Sequence, residues 1–417
     1  MNGEIGLEDI KKYQEKLNSN FDEIIHSNIY NSGIIEASIN ENETANYKNE
    51  FDIEIKTCKM YNQKNSYQSS IYAAIRVIKN NLAENLDIDV YKLDLSANYI
   101  DFFDKFEKVN NFYNELIKNK LVTFDLINKL SDTYITLSGT FYTFTQIIDK
   151  YGIVPENEMR DASDAFNANE LLELLLYKVK TDALIIKKAK ENGENLFKLK
   201  DKLLESTYMF LAKIYGTPPT DFDFEYINNK SRSISLKNIT PLNFRNNFMS
   251  LPLKDFITVT SFPIKYFKKS SAYIESLYLN HNEQITQADL KDIKKAILKQ
   301  IQNGTAVWFS TEESTTLDYN NGILSDKIYN LKEYFGLKEI PKYDALRLNI
   351  INYDHAMTIT GLKLDKNGEI DYFKIDNSFG EHGTYKGIVM MPIEAFEKYT
   401  LTVILDKKYL NKNGDIL

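Results

Sequence analysis

The stretch NQKNSYQSSIYAAIRVIKNNL, residues 62–82, decides how the rest of the chain is read. Gln63 precedes a short polar turn, and a run of small and apolar residues follows. Ile71, Ile75, Ile78 and Leu82 recur at helical spacing, so the run reads as a helix with one buried face whose first turn lies near Ser69. That placement has two readings. A nucleophile at a helix N-terminus gains from the macrodipole, which favours a developing negative charge. A Gln six residues earlier can aim its side-chain amide at an oxyanion. A serine there is equally a plain N-cap.

Outward from this helix, the first half of the chain reads as helical. The pattern predicts an amphipathic helix over 7–30, a short strand over 51–56, and helices over 96–119 and 141–151, the last ending at Gly152. Residues 168–215 read as two helices broken at Gly193 and closed by GTPP, 216–219. After about 235 the character changes. FITVTSFPI alternates like a strand, a helix is predicted over 286–302 from a Thr286-x-x-Asp289 start, and TAVWFS reads as a strand. The last third is β-rich: HAMTITGLKL, a turn at DKNGE, IDYFKIDNS, GIVMMP and YTLTVILD. Helices first and strands later make the class α+β with two lobes.

One hairpin brings two polar residues together. His355 begins one strand and Asn377 ends its partner, with Asn367-Gly368 at the turn. If residues 365–369 form the loop, position 357 faces 377 and 355 faces 379. His355 and Asn377 then share a face, and the Asn carbonyl can accept the imidazole N–H and fix its tautomer. A two- or four-residue loop would put them on opposite faces unless a bulge intervened. A lone His on a strand is otherwise a satisfied core or surface residue. Gln63, position 69, His355 and Asn377 together form a set with four distinct roles.

Composition narrows the classes. The 417 residues are 43% hydrophobic and 13% aromatic, ample for a large core. A net charge of −8 gives no basic footprint for nucleic acid. No apolar run of about 18 residues would span a membrane, and the acidic N-terminal stretch MNGEIGLEDIKK does not read as a secretory signal. Cys58, the one cysteine, offers neither an internal disulfide nor a Cys-based metal cage. A reduced, cytoplasmic setting is the expectation. His26, His281, His355 and His382 are scattered, and DKNGE lacks the ligand spacing and terminal Glu of a calcium loop, so no metal and no cofactor are expected.

Several stretches, in order, resemble the bleomycin hydrolase and aminopeptidase C group of papain-like cysteine peptidases. They are NQKNSYQSSIYAA, LSANYIDFFDKFEK, KYGIVPE, FLAKIYGTPPTDFDF, NGTAVWF, DHAMTITGLKLDKNGE and KIDNSFG, and they cover nearly the whole chain. The resemblance implies a papain-like two-lobe fold with a helical insertion: a helical lobe over about 63–155, an inserted helical segment over about 160–235 and a β-rich lobe over about 236–417. It implies removal of N-terminal residues from peptides as the activity, peptides as partners, and a homo-oligomer, hexameric in the family. The family's oxyanion Gln matches Gln63, its base matches His355 and its orienting Asn matches Asn377.

The departures lie at the nucleophile. The family's Gly-Arg-Cys-Trp is here Tyr67-Gln68-Ser69-Ser70, so its cysteine is matched by Ser69. Cys58 lies eleven residues earlier, out of register. The family's Gly-Gly-Gln-Trp reads Ser138-Gly139-Thr140-Phe141, the Trp after its Asn-Ser is Phe379, and its C-terminal arm is only KKYLNKNGDIL. A hydroxyl cannot ionise as the thiolate of such a site does. Three readings follow: a pseudo-enzyme that binds peptides or partners without cutting, an active aminopeptidase with a serine nucleophile, or a cysteine enzyme whose cysteine has been exchanged for serine. Tyr67, in place of glycine, is expected to crowd the cleft.

Overall fold

A computed structural model describes residues 4–17, 19–137, 139–261, 285–313, 316–351 and 355–410. Ser138, the FPI of FITVTSFPI, His281 and the end of the C-terminal segment, 411–417, lie outside the described residues.

The helix headed by Ser69 runs Ser69–Asn85 and is the centre of the molecule. It was expected to bury one face. Instead twelve of its seventeen residues are buried, because Ala73, Ala74 and Ala83 let neighbours approach from several sides. Against one side lies the sheet. Trp308 donates its indole N–H to the Ser70 carbonyl at 3.1 Å, and Thr358 donates its hydroxyl to the Ala73 carbonyl at 3.0 Å. Against the other lie the helices Ala97–Lys118 and Phe141–Tyr151, capped by Ser96 and Thr140, whose side chains accept from Tyr99 N and Thr143 N.

Among the described residues the sheet has ten strands. Its order is Ile285–Gln287, Phe256–Thr260, Thr400–Asp406, Val307–Thr311, His355–Leu364, Ile370–Asp376, Ile388–Pro392, Ile323–Leu324 and Leu317–Asp318, with Ile53–Glu54 pairing onto the His355–Leu364 strand. The architecture is thus mixed helix and sheet, with helices mostly early and strands mostly late, as the pattern predicted. The last-third hairpin has its loop at 365–369. Its register opens with Ile370 opposite Leu364, shifts by one over Tyr372–Lys374, and shifts back so that Asp376 faces Thr358. Two opposite irregularities cancel, and the ends of the two strands meet in the register that places His355 and Asn377 on one face.

A second apolar cluster joins Phe112, Tyr113 and Leu116 to Leu175, Val179 and Ile186, from the helices Ala97–Lys118 and Ala168–Glu191. The second helix of the 168–215 segment, Leu196–Tyr215, starts after Gly193 (φ 70°), with Asn195 as its cap. The segment expected to be helical over about 160–235 also carries a hairpin, Phe222–Ile227 with Ser233–Ile239.

Three local expectations are corrected. The helix predicted over 7–30 is two, Leu7–Gln14 and Ser19–Ser32, and the first buries none of its residues. The first ends at a C-cap on Glu15, whose backbone N–H donates to the Lys11 carbonyl. The strand predicted over 51–56 shrinks to Ile53–Glu54. Thr286 does not open a helix. It pairs in the strand Ile285–Gln287, and the helix starts after Asp289, over Leu290–Gln302.

Candidate functional site

Ser69 is the first residue of its helix, and Gln68 occupies the N-cap position with no side-chain cap bond. The N-cap reading of Ser69 therefore does not hold. Gln68 points away from the cleft, fully buried, and donates to Asn98 Oδ1 and Asp101 Oδ2, both at 3.0 Å. This swing into the helical half is what leaves Ser69 at the mouth of the helix. The preceding Tyr67 has φ 55°, a left-handed conformation that glycine adopts freely and a bulky residue rarely does. The backbone shape suited to glycine is thus kept at a tyrosine.

Ser69 lines a cleft of about 670 Å³. Tyr67, Ser70, Thr136, Gly139 and Leu172 form its helical wall. Trp308, Ser310, Glu313, His355, Ala356 and Phe379 form the sheet wall, and Gln63 and Asn65 lie on the connecting segment. Tyr67, expected to crowd the cleft, stands in its wall with 53% of the residue exposed, so its ring borders the cleft without filling it.

Gln63 is fixed from behind. Its backbone N–H donates to the Ser378 carbonyl at 2.6 Å, and its side-chain Oε1 accepts from Ser378 Oγ at 2.8 Å. With the carbonyl end of the amide held, the N–H₂ end remains as the donor available to an oxyanion.

His355 Nε2 lies 2.7 Å from Asn377 Oδ1. The side-chain oxygen of Asn377 also accepts from Ser378 N at 2.7 Å, which fixes the amide orientation. Bonding at Nε2 leaves Nδ1 as the ring nitrogen for proton exchange. Phe379 stacks on the imidazole with centroids 5.0 Å apart and planes 11° apart, in the place of the expected tryptophan. Of the four residues singled out from sequence, Gln63, Ser69 and His355 line the cleft together and Asn377 supports His355 from behind. Among the described residues no hydrogen bond joins Ser69 Oγ to the imidazole; such bonds are commonly loose before substrate binds.

Two residues of the site were not anticipated. Glu313 Oε2 lies 2.9 Å from His355 Nε2, with both side chains buried. Tyr319 donates its phenol O–H to Glu313 Oε1 and packs edge-on against Phe379. The signal in the sequence is the Glu312-Glu313 pair just after TAVWFST, but its meaning depends on Thr311 lying opposite His355 in the sheet. Cys58 is buried, with its sulfur 3.3 Å from Arg76 Nη1 and outside the cleft lining. Among the described residues no group of three or more His, Cys, Asp or Glu is placed to hold a metal, and no helix is long and apolar enough to cross a membrane. His382 is exposed.

A residue at the head of a central helix, facing a His–Asn pair carried by a sheet, is the arrangement of a papain-like peptidase. The chain belongs to the Peptidase C1-like family, whose model matches residues 4–415. It is 29% identical to an aminopeptidase C of Listeria monocytogenes, over 99% of this chain and 95% of that protein. It is 27% identical to an aminopeptidase E of Lactobacillus helveticus, over 98% and 94%. The crystal structure of PepW from Lactobacillus rhamnosis superimposes with a TM-score of 0.90 at 27% identity, covering 99% of this chain and 94% of that one.

Proposed function

We propose that this chain binds peptides in the Ser69–His355 cleft as an aminopeptidase C-like protein, and that it hydrolyses them far more slowly than a thiol-bearing relative would. The observation that carries this reading is the pairing of an intact His355–Asn377 dyad with a hydroxyl at position 69. In a thiol peptidase the thiolate and imidazolium exist before substrate arrives, with a cysteine pKa of roughly 3–4. A serine must instead give up its proton during attack. When a triad nucleophile is lost, only about 10³–10⁴ over water remains, from the oxyanion hole and binding.

The test has two arms. Peptide titration followed by fluorescence of Trp308, which lines the cleft, reports binding. Turnover of aminoacyl fluorogenic amides reports hydrolysis. Binding with near-background turnover is expected, together with a gain on Ser69→Cys that grows when Tyr67→Gly is added. Robust turnover by the unaltered chain, lost in Ser69→Ala and in His355→Ala, would overturn the impaired reading.

A cytoplasmic setting and self-assembly belong to the same proposal. Leu7–Gln14 buries none of its residues, and Leu7, Ile10, Tyr13, Leu17 and Ile24 are exposed, a stripe suited to contact with other copies. Light scattering after size exclusion checks this: a monomer at micromolar concentration would refute it.

A further inference from the structure

We infer that Glu313 is the acid of a serine-type relay, in which Ser69 is the nucleophile, His355 the base and Glu313 the fixed counter-charge of the imidazolium. This rests on the reading of the cleft as a slow peptide site and goes beyond it by naming the residue that supports the small turnover left to a hydroxyl there.

The argument starts from what is lost with the sulfur. In a thiol site the negative charge facing the imidazolium is the thiolate itself. With Ser69 that charge is gone, and Asn377 offers His355 only the neutral end of an amide dipole. An imidazolium forming in a site this buried is costly without a compensating charge. The carboxylate of Glu313, 2.9 Å from Nε2, supplies one. Its place is held on three sides. Tyr319 donates to its other oxygen. The Thr316 and Leu317 backbone N–H groups donate to the Glu313 carbonyl at 3.0 and 3.1 Å. Phe379, wedged between Tyr319 and the imidazole, closes the ring of contacts. Asn377 orients the ring and Glu313 charges its surroundings, two tasks that a single aspartate performs in a Ser-His-Asp triad.

The step balances without a further reactant. Ser69 Oγ bonds to the peptide carbonyl carbon as its proton passes to His355 Nδ1, and Gln63 faces the oxyanion. Collapse breaks the C–N bond, and the amine leaves with the proton from Nδ1. Water then attacks the ester, gives its proton to Nδ1, and the returned proton restores the Ser69 hydroxyl as the acid is released. Glu313 touches none of the reacting atoms, so it is a positioning residue.

The experiment uses the full chain and a fluorophosphonate probe, which bonds phosphorus to an activated serine oxygen and expels fluoride. The rate of adduct formation at Ser69 is followed by intact mass and peptide mapping from pH 5 to 9. The unaltered chain is expected to label at Ser69 and Ser69→Ala not to label. Glu313→Gln should slow labelling by about 10²-fold or more, below the ~10⁴ of a charge-to-amide change in a single-acid triad because Asn377 still holds the ring. It should also lower the pH midpoint, since the lost carboxylate favoured the charged ring, and Glu313→Asp should restore part of the rate. A companion pair separates charge from structure. In a Ser69→Cys background, where the thiolate supplies its own counter-charge, Glu313→Gln should slow iodoacetamide alkylation at position 69 by less than about tenfold, a small part of the triad effect. Three results overturn the inference: labelling of Glu313→Gln at the unaltered rate and midpoint, equal losses in the serine and cysteine backgrounds, or no labelling of the unaltered chain above Ser69→Ala. The last would leave the peptide-binding reading standing, because peptide titration judges that separately.

Discussion

Replacing Asp376 by Asn removes one charge from a buried pair that ties the Ser69 helix to the end of the Ile370–Asp376 strand, next to Asn377. Arg76 Nη1 lies 2.8 Å from Asp376 Oδ2, and the two side chains are 4% and 0% exposed. Around the guanidinium are the Cys58 sulfur, at 3.3 Å from Nη1, and the Tyr61 ring, 4.9 Å from its carbon to the centroid. Neither replaces a carboxylate. Asp376 Oδ1 also accepts from Thr360 Oγ1 at 2.8 Å, a bond an amide oxygen can keep. The substitution therefore preserves shape and leaves a buried cation without its partner, a change that costs about 3–5 kcal/mol. Replacing both partners, Arg76→Met with Asp376→Leu, removes the stranded charge and should cost much less than either single change. Urea unfolding followed by the fluorescence of Trp308 is the assay. It is the only tryptophan in the chain, it is buried, and its N–H is bonded to Ser70 at the junction of helix and sheet. With a slope near 3 kcal/mol per M, the upper end for urea, Asp376→Asn should lower the midpoint by at least about 1 M. A shift below about 0.3 M on that slope, or single costs that simply add in the double variant, would refute the claim that the pair holds helix and strand together.

Two further outcomes are expected. Burial pushes the Asp161 carboxyl up to about 6 against the pull of Tyr72 and the Asn98 and Ala97 backbone N–H groups. Its folded form holds a proton that the unfolded chain has released, so its contribution is full below about pH 4, the unfolded value, and is lost as pH rises through about 6. Asp161→Asn should flatten the stability slope between those values in thermal melts, and an unchanged slope would refute the assignment. Tyr67→Gly removes a ring from the cleft wall and a left-handed strain of about 1 kcal/mol. In a Ser69→Cys background it should lower KM for aminoacyl amides while moving kcat less than about twofold, as a change in access with uniform binding does. An unchanged KM would mean that the ring does not obstruct substrate.

The sequence by itself marked most of the local elements and four candidate residues that the structure brings together at one cleft. The 3.6-residue spacing of Ile71, Ile75, Ile78 and Leu82 placed the central helix, because apolar periodicity is a local property. The length of the 365–369 turn put His355 and Asn377 on one face, because side chains on a strand alternate with period two. Those signals were strong enough to survive two register irregularities that cancel. They failed where the deciding contacts are not local. The 7–30 run carries a helical pattern yet breaks after Gln14, and the piece before the break buries none of its residues. Ser69 reads from sequence as an N-cap as well as a nucleophile; the N-cap position belongs instead to Gln68, which turns into the pocket formed by Asn98 and Asp101, some thirty residues away. Glu313 was invisible as a partner of His355, because 42 residues separate them and only the pairing of the Val307–Thr311 strand with the His355–Leu364 strand brings them together. Which strands lie side by side in a mixed sheet is fixed by the packing of the whole core, and no single stretch of sequence carries it.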